Sequence, residues 1–224
     1  MLFKMENVNL IYDIDKEVPT YALKNINLFL NGTNFIGIMG PSGSGKSSLL
    51  YALSGFKLPT SGKIYYNNLD YSKILPSQNE GIRRKEFGFI FQRHFLIDYM
   101  TVMQNVLTPI NDDSSESKEK ALSILNNLGI ANLADKKPHQ LSVGQRQLTA
   151  IARALINNPK VIFADEPTAA LDHNTTKKVI SFLENYKKDN MLIVVTHDYS
   201  LLQNANHIIN MLDGTIESID KERE

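Results

Sequence analysis

The sequence of 224 residues contains no cysteine and carries no excess of either charge. Without cysteine, disulfide bonds and thiolate chemistry are both excluded. Lys and Arg together number 24, and so do Asp and Glu, which gives a formal net charge of zero. A protein that binds nucleic acid irrespective of sequence normally carries a basic surplus, so this balance argues against a nucleic-acid partner.

Long apolar runs are absent as well. No run approaches the roughly 18–20 residues that a membrane-spanning helix requires. Residues 1–7 lack the apolar stretch behind a basic start that marks a secretory signal. With 42% apolar and 21% charged residues, the composition is that of a globular protein. We therefore expect a soluble, cytoplasmic chain, and any membrane-spanning part of its machinery would belong to another chain.

The most informative segment is Gly40–Ser48, which fits the phosphate-binding pattern G-x-x-x-x-G-K-[ST]. It follows an apolar segment of strand length at 34–39 and precedes a segment at 48–54 with leucines at helical spacing. Glycines let successive backbone N–H groups converge on a phosphate, and the start of a helix adds its positive dipole end. The predicted nucleotide contacts are Gly40, Pro41, Ser42, Gly43, Ser44, Gly45, Lys46, Ser47 and Ser48.

Two of these residues have specific predicted roles. Lys46 is expected to reach the β- and γ-phosphates, and the hydroxyl of Ser47 is expected to bind Mg²⁺. Strand, glycine-rich turn and helix together form the context that the pattern requires. The sequence therefore predicts that the protein binds a nucleoside triphosphate together with Mg²⁺.

Polar side chains follow two further apolar segments. The run at 161–164 leads into Asp165 and Glu166, and the run at 191–196 leads to His197. A buried parallel strand delivers its last residues to the ligand edge of the sheet. Asp165 is then expected to help hold Mg²⁺, and Glu166 to orient or deprotonate the water that attacks the γ-phosphate. The imidazole of His197 could hydrogen-bond the same phosphate, although solvated side chains at strand ends are the alternative.

The order of elements predicts an α/β fold with a parallel sheet covered on both faces. Strands are predicted at 3–11, 21–30, 63–66, 87–91, 160–164, 191–195, 208–211 and 215–219. Residues 13–19 are predicted to form a loop, 70–80 to be polar and irregular, and 111–119 to form a solvated link. From 100 to 158 the pattern is helical. The β-rich start and this helical block are predicted additions to the sheet core.

Further motifs resemble those of the ABC ATPases. The segment 141–145, Leu-Ser-Val-Gly-Gln, resembles the family's Leu-Ser-Gly-Gly-Gln signature. Other segments match family motifs in order and spacing, at 151–155, 164–168, 170–172 and 195–198. Gln92 matches the family's glutamine loop, and Tyr12 its aromatic platform for adenine, although alone Tyr12 would be ordinary packing. The resemblance covers essentially the whole chain, and segments 89–92 and 95–97 favour the subgroup of exporters paired with few-span permeases.

The resemblance implies a fold: a P-loop NTPase with a RecA-like parallel sheet core, an N-terminal antiparallel β region and an inserted α-helical subdomain. The chain is then one ABC ATPase domain over 1–224. Residues 1–92 and 158–224 would form the β region and the nucleotide-binding core. Residues 93–157 would form the helical subdomain that contains the signature segment.

The resemblance also implies a mechanism. Two such domains, as a homodimer or with a homologue, sandwich two Mg-ATP, and each domain presents Ser142, Gly144 and Gln145 to the nucleotide of the other. Asp172 would link the two sites. The implied catalytic set is Glu166, His197, Lys46 and Gln92, and the implied metal ligands are Ser47, Gln92 and Asp165. Gln92 and the helical block would transmit closure to a transmembrane permease, which would hold the chain on the inner face of the cell membrane.

Two residues depart from the family pattern. Val143 stands where the first signature glycine is usual. A β-branched residue does not readily adopt positive φ and adds bulk near the phosphate, so we expect slower closure rather than an inactive site. Leu148 stands where an arginine is usual, and the sequence offers no account of that change.

Other functions stay open. An ABC ATPase can drive a membrane complex that signals or performs mechanical work without moving a solute. A soluble member acting on DNA structure would need a long coiled coil, and no sustained heptads are present. A ribosome-acting member usually carries two cassettes, whereas one phosphate loop is found here. Intact Lys46, Asp165, Glu166 and His197 argue against a regulator without catalysis, and Val143 alone argues for one.

Overall fold

The structure is a computed structural model that describes residues 2–13, 19–32, 35–186 and 190–221. The strands are β1 (Leu2–Tyr12), β2 (Thr20–Asn31), β3 (Phe35–Met39), β4 (Ser61–Tyr66), β5 (Leu69–Asp70), β6 (Phe87–Ile90), β7 (Val161–Asp165), β8 (Met191–Val195), β9 (His207–Leu212) and β10 (Thr215–Lys221). The α-helices are α1 (Lys46–Leu53), α2 (Pro76–Glu86), α3 (Val102–Leu107), α4 (Ser115–Asn127), α5 (Val143–Leu155) and α6 (His173–Tyr186).

The chain divides into two compact units. Unit one comprises Met1–Arg83 and Met191–Glu224, and unit two comprises Arg84–Asn190. The helical subdomain predicted at 93–157 lies within unit two, and its separate identity remains a prediction. The loop predicted at 13–19 falls largely outside the described residues.

Unit one begins with an antiparallel sheet in the order β2-β1-β4-β5. The pairing of β1 with β2 shifts register between Met5 and Val8, as a β-bulge does. Asparagines hold this irregular stretch: Asn7 has a φ of 48°, and Asn9 Oδ1 accepts a hydrogen bond from the backbone N–H of Asn25 at 2.9 Å. Asparagine tolerates the left-handed region better than other side chains do, and its amide can bond nearby backbone.

The second sheet of unit one places the phosphate loop. Strand β3 pairs in parallel with β8 on one side and with β9 on the other, and β10 closes the edge as an antiparallel neighbour of β9. All five residues of β8 are buried, which is typical of a parallel strand covered on both faces. Helix α1 follows β3 and buries Leu49, Leu50 and Leu53. Strand, loop and helix thus follow one another as predicted.

Unit two contains the parallel pair β6 and β7 together with the helices α3 to α6. Helix α5 buries Leu148, Ile151, Ala152 and Leu155, the face that the sequence predicts. A side chain at Gly88 of β6 would collide with the backbone of Ala154, so glycine allows the strand to pack directly against α5. Helix α6 buries Val179, Ile180 and Leu183, also as predicted.

Two secondary-structure predictions are wrong in part. Residues 70–80 are predicted to be irregular, but α2 begins at Pro76. Among its described residues only Asn79 is buried, so the helix lacks the apolar stripe from which an amphipathic helix is predicted. It is fixed instead by polar contacts: Asn79 Nδ2 and Arg83 Nη1 donate to the carbonyl of Gly55 at 3.1 and 3.0 Å. Likewise, α4 begins at Ser115, inside the link predicted at 111–119.

Candidate functional site

The phosphate loop has a backbone that only glycine allows. Gly40, Gly43 and Gly45 have φ values of 147°, 80° and 99°, all in the region that L side chains rarely adopt. A Cβ at Gly40 would collide with the carbonyl oxygen of Met211, and one at Gly45 with that of Ala22. At Gly43 no atom of the described residues, apart from its two chain neighbours, lies within 4 Å of the Cβ position, so among these residues this part of the loop faces open space. The phosphate loop therefore forms a cradle of bare backbone, and side chains in place of these glycines would fill it.

Hydrogen bonds fix the cradle in place. The Ser44 N–H donates to the carbonyl of Pro41 at 3.2 Å, and the Ser44 carbonyl accepts from Gly214 N–H at 3.0 Å, which ties the loop to the β9–β10 turn. Lys46 Nζ folds back over the loop and donates to the carbonyls of Gly40 and Pro41 at 2.8 and 2.7 Å. An ammonium group held on the loop by neutral acceptors is available for a stronger, charged acceptor.

The remaining polar groups of the loop also suit a polyphosphate ligand. Ser44 Oγ is buried, and among the described residues it has no hydrogen-bond partner. Buried hydroxyls normally have one, so this orphan is accounted for when a ligand oxygen accepts from it. Helix α1 carries no acidic residue in its first turn, which leaves the positive end of its dipole uncompensated for an anion.

Tyr12 lies beside this loop. Its hydroxyl is 3.4 Å from Ser48 Oγ, in the first turn of α1. Lys57 Nζ lies 5.6 Å from the centroid of the half-buried ring. The end of β1 therefore brings an aromatic ring to the helix that carries the loop. The role of this ring as a platform for adenine stays a prediction.

His197 lies at the same edge of the sheet as the phosphate loop. Ile38 of β3 pairs with Val195 of β8, so Gly40 and His197 each lie just beyond the end of neighbouring parallel strands. The imidazole is exposed. Asp198 caps the short 3₁₀ helix that follows by accepting from Ser200 N–H at 2.9 Å. Parallel strands thus deliver the histidine where the sequence predicted it, in the same unit as the loop.

Unit two presents its predicted residues at one edge of its own strand pair. Ile90 pairs with Ala164, so Gln92 and Glu166 follow the ends of β6 and β7 at matching positions. Asp165 is 4% exposed, whereas Gln92 is exposed. Glu166 has a φ of 48°, a left-handed conformation that costs a residue with a side chain about 1–2 kcal/mol. Backbone strain of this kind is concentrated at functional sites.

The residues around Ser142 form the N-terminus of α5. Ser142 Oγ accepts from Gln145 N–H at 3.2 Å, and Gln145 Oε1 accepts from Ser142 N–H at 2.9 Å. This reciprocal pair is a capping box, which orders the first turn of the helix. Gly144 lies where a Cβ would come within 3.3 Å of the Ala170 carbonyl, so the helix approaches the 166–171 segment closely. These are structural roles, and the predicted phosphate contacts of the three residues remain predictions.

The expected conflict between Val143 and a positive φ does not arise. Val143 is the first residue of α5 and has a helical backbone, so no positive φ is needed at this position. Its side chain is 50% exposed. What remains of the predicted effect is steric: an isopropyl group stands on the surface beside Ser142.

Asp172 caps α6. Its carboxylate accepts from the N–H groups of Asn174 and Thr175 at 3.1 and 3.0 Å and from Thr175 Oγ1 at 2.6 Å. The hydrogen bond from the Thr175 hydroxyl lowers the pKa of Asp172 below its usual value, and the bonds from the two N–H groups add smaller effects in the same direction. The cap therefore stabilises α6 above the ordinary aspartate pKa and loses this contribution as pH falls through the lowered value. Its predicted role in linking two nucleotide sites is additional to this cap.

Two residues that the sequence did not single out organise unit two. Arg153 donates to the carbonyls of His94 and Phe95 at 2.7 and 2.6 Å, and so holds the backbone that follows Gln92. Gln147 donates to the carbonyl of Pro167 at 2.9 Å, next to Glu166. Arg153 lies within a motif that the resemblance quotes, but its acceptors are distant in sequence. Neither contact has a signal in the local pattern.

The described residues contain no group of three or more His, Asp or Glu side chains that could hold a metal. Mg²⁺ is commonly held by one or two carboxylates together with substrate phosphates and water, and Ser47, Asp165 and Gln92 stay its predicted ligands. In the ranges described, no helix is both long enough and apolar enough to cross a membrane.

Comparison with known proteins assigns the chain to a family. Residues 23–169 match the family model of the ABC transporter. The chain is 39% identical over 221 residues to the lipoprotein-releasing system ATP-binding protein LolD of Wigglesworthia glossinidia brevipalpis, covering 96% of each chain. It is 35% identical to the macrolide export ATP-binding/permease protein MacB of Syntrophobacter fumaroxidans, of which it spans only 31%.

Solved structures agree with this assignment. The chain superposes with a TM-score of 0.94 and 38% identity, over 99% of both chains, on the cassette MJ0796 in a dimeric post-hydrolysis state bound to ADP and Pi. A second dimeric structure of MJ0796 gives the same TM-score and identity. The predicted α/β fold of a P-loop NTPase is therefore confirmed, and this chain belongs to the ABC transporter family as an ATP-binding cassette.

Proposed function

We propose that this chain is the ATP-hydrolysing subunit of an ABC exporter and that two copies close around two Mg-ATP to drive a separate transmembrane permease. The observation that carries the proposal is the phosphate loop. Its three positive-φ glycines, orphaned Ser44 hydroxyl and folded-back Lys46 form a site suited to a triphosphate. The proposed roles extend from this loop to the other predicted residues.

Each predicted residue has a distinct proposed task. Tyr12 stacks on the adenine, and Lys46 binds the β- and γ-phosphates. Ser47, Asp165 and Gln92 hold Mg²⁺, which when bound neutralises phosphate charge. Glu166 accepts the proton of the attacking water, and His197 donates a hydrogen bond to the γ-phosphate.

In the proposed dimer, Ser142, Gly144 and Gln145 of one copy meet the nucleotide on the loop of the other, and Asp172 links the two sites. The N-terminus of α5 suits this task because its N–H groups and dipole favour an anion. The dimeric structures of MJ0796, a similar protein, support this arrangement. A homodimer is proposed, with a homologous cassette as the alternative second copy.

The permease is proposed to be a separate chain. MacB is an ATP-binding/permease protein, and this chain covers 31% of its length. LolD, which is similar in length, is an ATP-binding protein of a releasing system. We propose that the cassette is bound peripherally at the inner face of the cell membrane and that transport runs outward. A membrane complex that signals without transport, or a soluble ABC ATPase, is the competing function.

Capture of the partner tests this proposal. The chain would be tagged in its native cell, and the proteins that co-purify from detergent-solubilised membranes would be identified, with untagged cells as control. We expect a few-span membrane protein in stoichiometric yield. A purely cytosolic pool without a membrane partner would contradict the transporter proposal, and reconstitution of the pair in vesicles would separate transport from signalling.

Val143→Gly is expected to hydrolyse ATP at least as fast as the parent. The substitution removes an exposed isopropyl group beside Ser142, and the helical backbone at this position does not depend on it. Glycine near a helix start costs at most about 1 kcal/mol relative to alanine, so the fold should persist. Steady-state phosphate release at saturating ATP measures the effect, with Val143→Ala as a control that keeps a Cβ. A sharp loss of activity would show that the valine belongs to a specialised site.

A further inference from the structure

Gln147 is an unusual buried residue of α5. Its side chain is 2% exposed, and Nε2 donates to the carbonyl of Pro167 at 2.9 Å. Its other polar atom, Oε1, is buried and has no hydrogen-bond partner among the described residues. A buried amide of which only the nitrogen is hydrogen-bonded contributes little to the stability of the fold. An apolar side chain of equal length would leave no acceptor without a partner on α5. This bond therefore calls for a reason other than stability.

The acceptor belongs to the segment that carries Glu166. Pro167 is buried and follows Glu166 directly. The Glu166 carbonyl accepts from Ala169 N–H at 3.3 Å, and the Thr168 carbonyl accepts from Leu171 N–H at 3.0 Å, so 166–171 is a chain of tight turns. The left-handed backbone of Glu166 begins it. The Pro167 carbonyl lies in the peptide bond between Pro167 and Thr168, so a contact that holds it fixes the backbone one residue after the strained Glu166.

The same helix touches this segment at a second place. Gly144 lies close to the Ala170 carbonyl, and it lies one turn before Gln147 on α5. Residues one turn apart share a helix face, so this face contacts both ends of the 166–171 segment. Ser142 caps the same turn of the helix. The N-terminus of α5 and the Glu166 segment are thereby joined within one copy of the chain.

We propose that Gln147 is a positioning residue that couples the Ser142 end of α5 to the backbone of Glu166. The inference rests on the proposed function, in which Ser142 meets the nucleotide of the other copy and Glu166 acts on the nucleotide of its own. A shift of α5 on closure then reaches Glu166 through the hydrogen bond to Pro167. The nucleotide bound at one site of the dimer in this way affects the position of Glu166 at the other site.

The variant Gln147→Met tests this coupling. Methionine keeps the length and most of the volume of the side chain but removes the donor. We expect kcat to fall about ten-fold or more, while KM for ATP stays close to the parental value, as for an interaction that acts in the transition state. We also expect faster hydrogen exchange in the peptide that covers 166–171, with unchanged exchange in β7.

Thr149→Val is the matched control. Thr149 is fully buried on the same helix, but its hydroxyl donates to the Gln145 carbonyl at 2.8 Å inside α5 and not to the 166–171 segment. This variant also exchanges a buried polar group for an apolar one. It should retain parental turnover and parental exchange in 166–171.

The possible outcomes separate this inference from the function on which it rests. A Gln147→Met protein with parental exchange in 166–171 overturns the coupling, whatever its turnover. Faster exchange with parental kcat also overturns it, because the bond then has no catalytic role. Equal losses of melting temperature and turnover in both variants would indicate a structural role only. If the parent hydrolyses no ATP, the proposed function fails. The rate of hydrogen exchange in residues 166–171 then decides alone whether Gln147 positions Glu166.

Discussion

Replacing Glu166 with glutamine is expected to lower ATP turnover by about 100-fold or more while ATP binding is retained. A general base contributes typically 10²- to 10⁴-fold, and the amide keeps the size of the carboxylate while losing its basicity. Glutamine meets the same left-handed backbone at φ 48° that glutamate does, so the segment 166–171 should keep its turns. In the proposed role of Glu166, the substitution also removes a negative charge beside the γ-phosphate, which should favour the closed dimer.

Three measurements check this expectation. Phosphate release gives turnover, equilibrium titration with a fluorescent nucleotide gives affinity, and size-exclusion chromatography with ATP shows the dimer. Glu119→Gln is a suitable control because it makes the same charge change at an exposed residue of α4. Unchanged turnover in Glu166→Gln would remove Glu166 as the catalytic base. Lost nucleotide binding would show instead that the substitution disturbs the site as a whole.

The sequence predicts best those features whose chemistry is local. The phosphate loop is specified by residues adjacent in the chain, and the positive φ of Gly40, Gly43 and Gly45 is the reason that glycine stands at each of these positions. The continuous apolar run of β8 likewise predicts a parallel strand buried on both faces. Even the capping box was open to prediction, since Ser142 and Gln145 have the required spacing.

Features that depend on distant polar contacts could not be predicted in this way. Helix α2 has no apolar stripe and depends on the carbonyl of Gly55, more than twenty residues away in sequence. Gln147 acts on Pro167, and nothing in the residues around either shows that they meet. The resemblance supplied Tyr12, whose approach to Ser48 is non-local, but it also supplied for Val143 a backbone requirement that the helical geometry does not have.

Replacing Lys46 with alanine is expected to weaken ATP binding by about 100-fold or more. Truncating one partner of a buried, hydrogen-bonded charge pair costs roughly 2–5 kcal/mol, and each 1.4 kcal/mol is a factor of ten in affinity. In the structure, Lys46 Nζ donates to the carbonyls of Gly40 and Pro41, and Pro41 is exposed. Water can replace the ammonium at such acceptors, so the fold should be little affected.

Thermal unfolding with and without ATP separates binding from folding in this variant. A ligand at a hundred times its Kd stabilises the folded state by about 2.7 kcal/mol, so ATP at that concentration should clearly raise the melting temperature of the parent and change that of Lys46→Ala little. Lys73→Ala removes the same charge from an exposed turn and should behave as the parent does. Parental stabilisation of Lys46→Ala by ATP would contradict the role of the lysine. A lower melting temperature without ATP would show that its bonds to Gly40 and Pro41 hold the loop together, and the lost affinity would then have a structural cause.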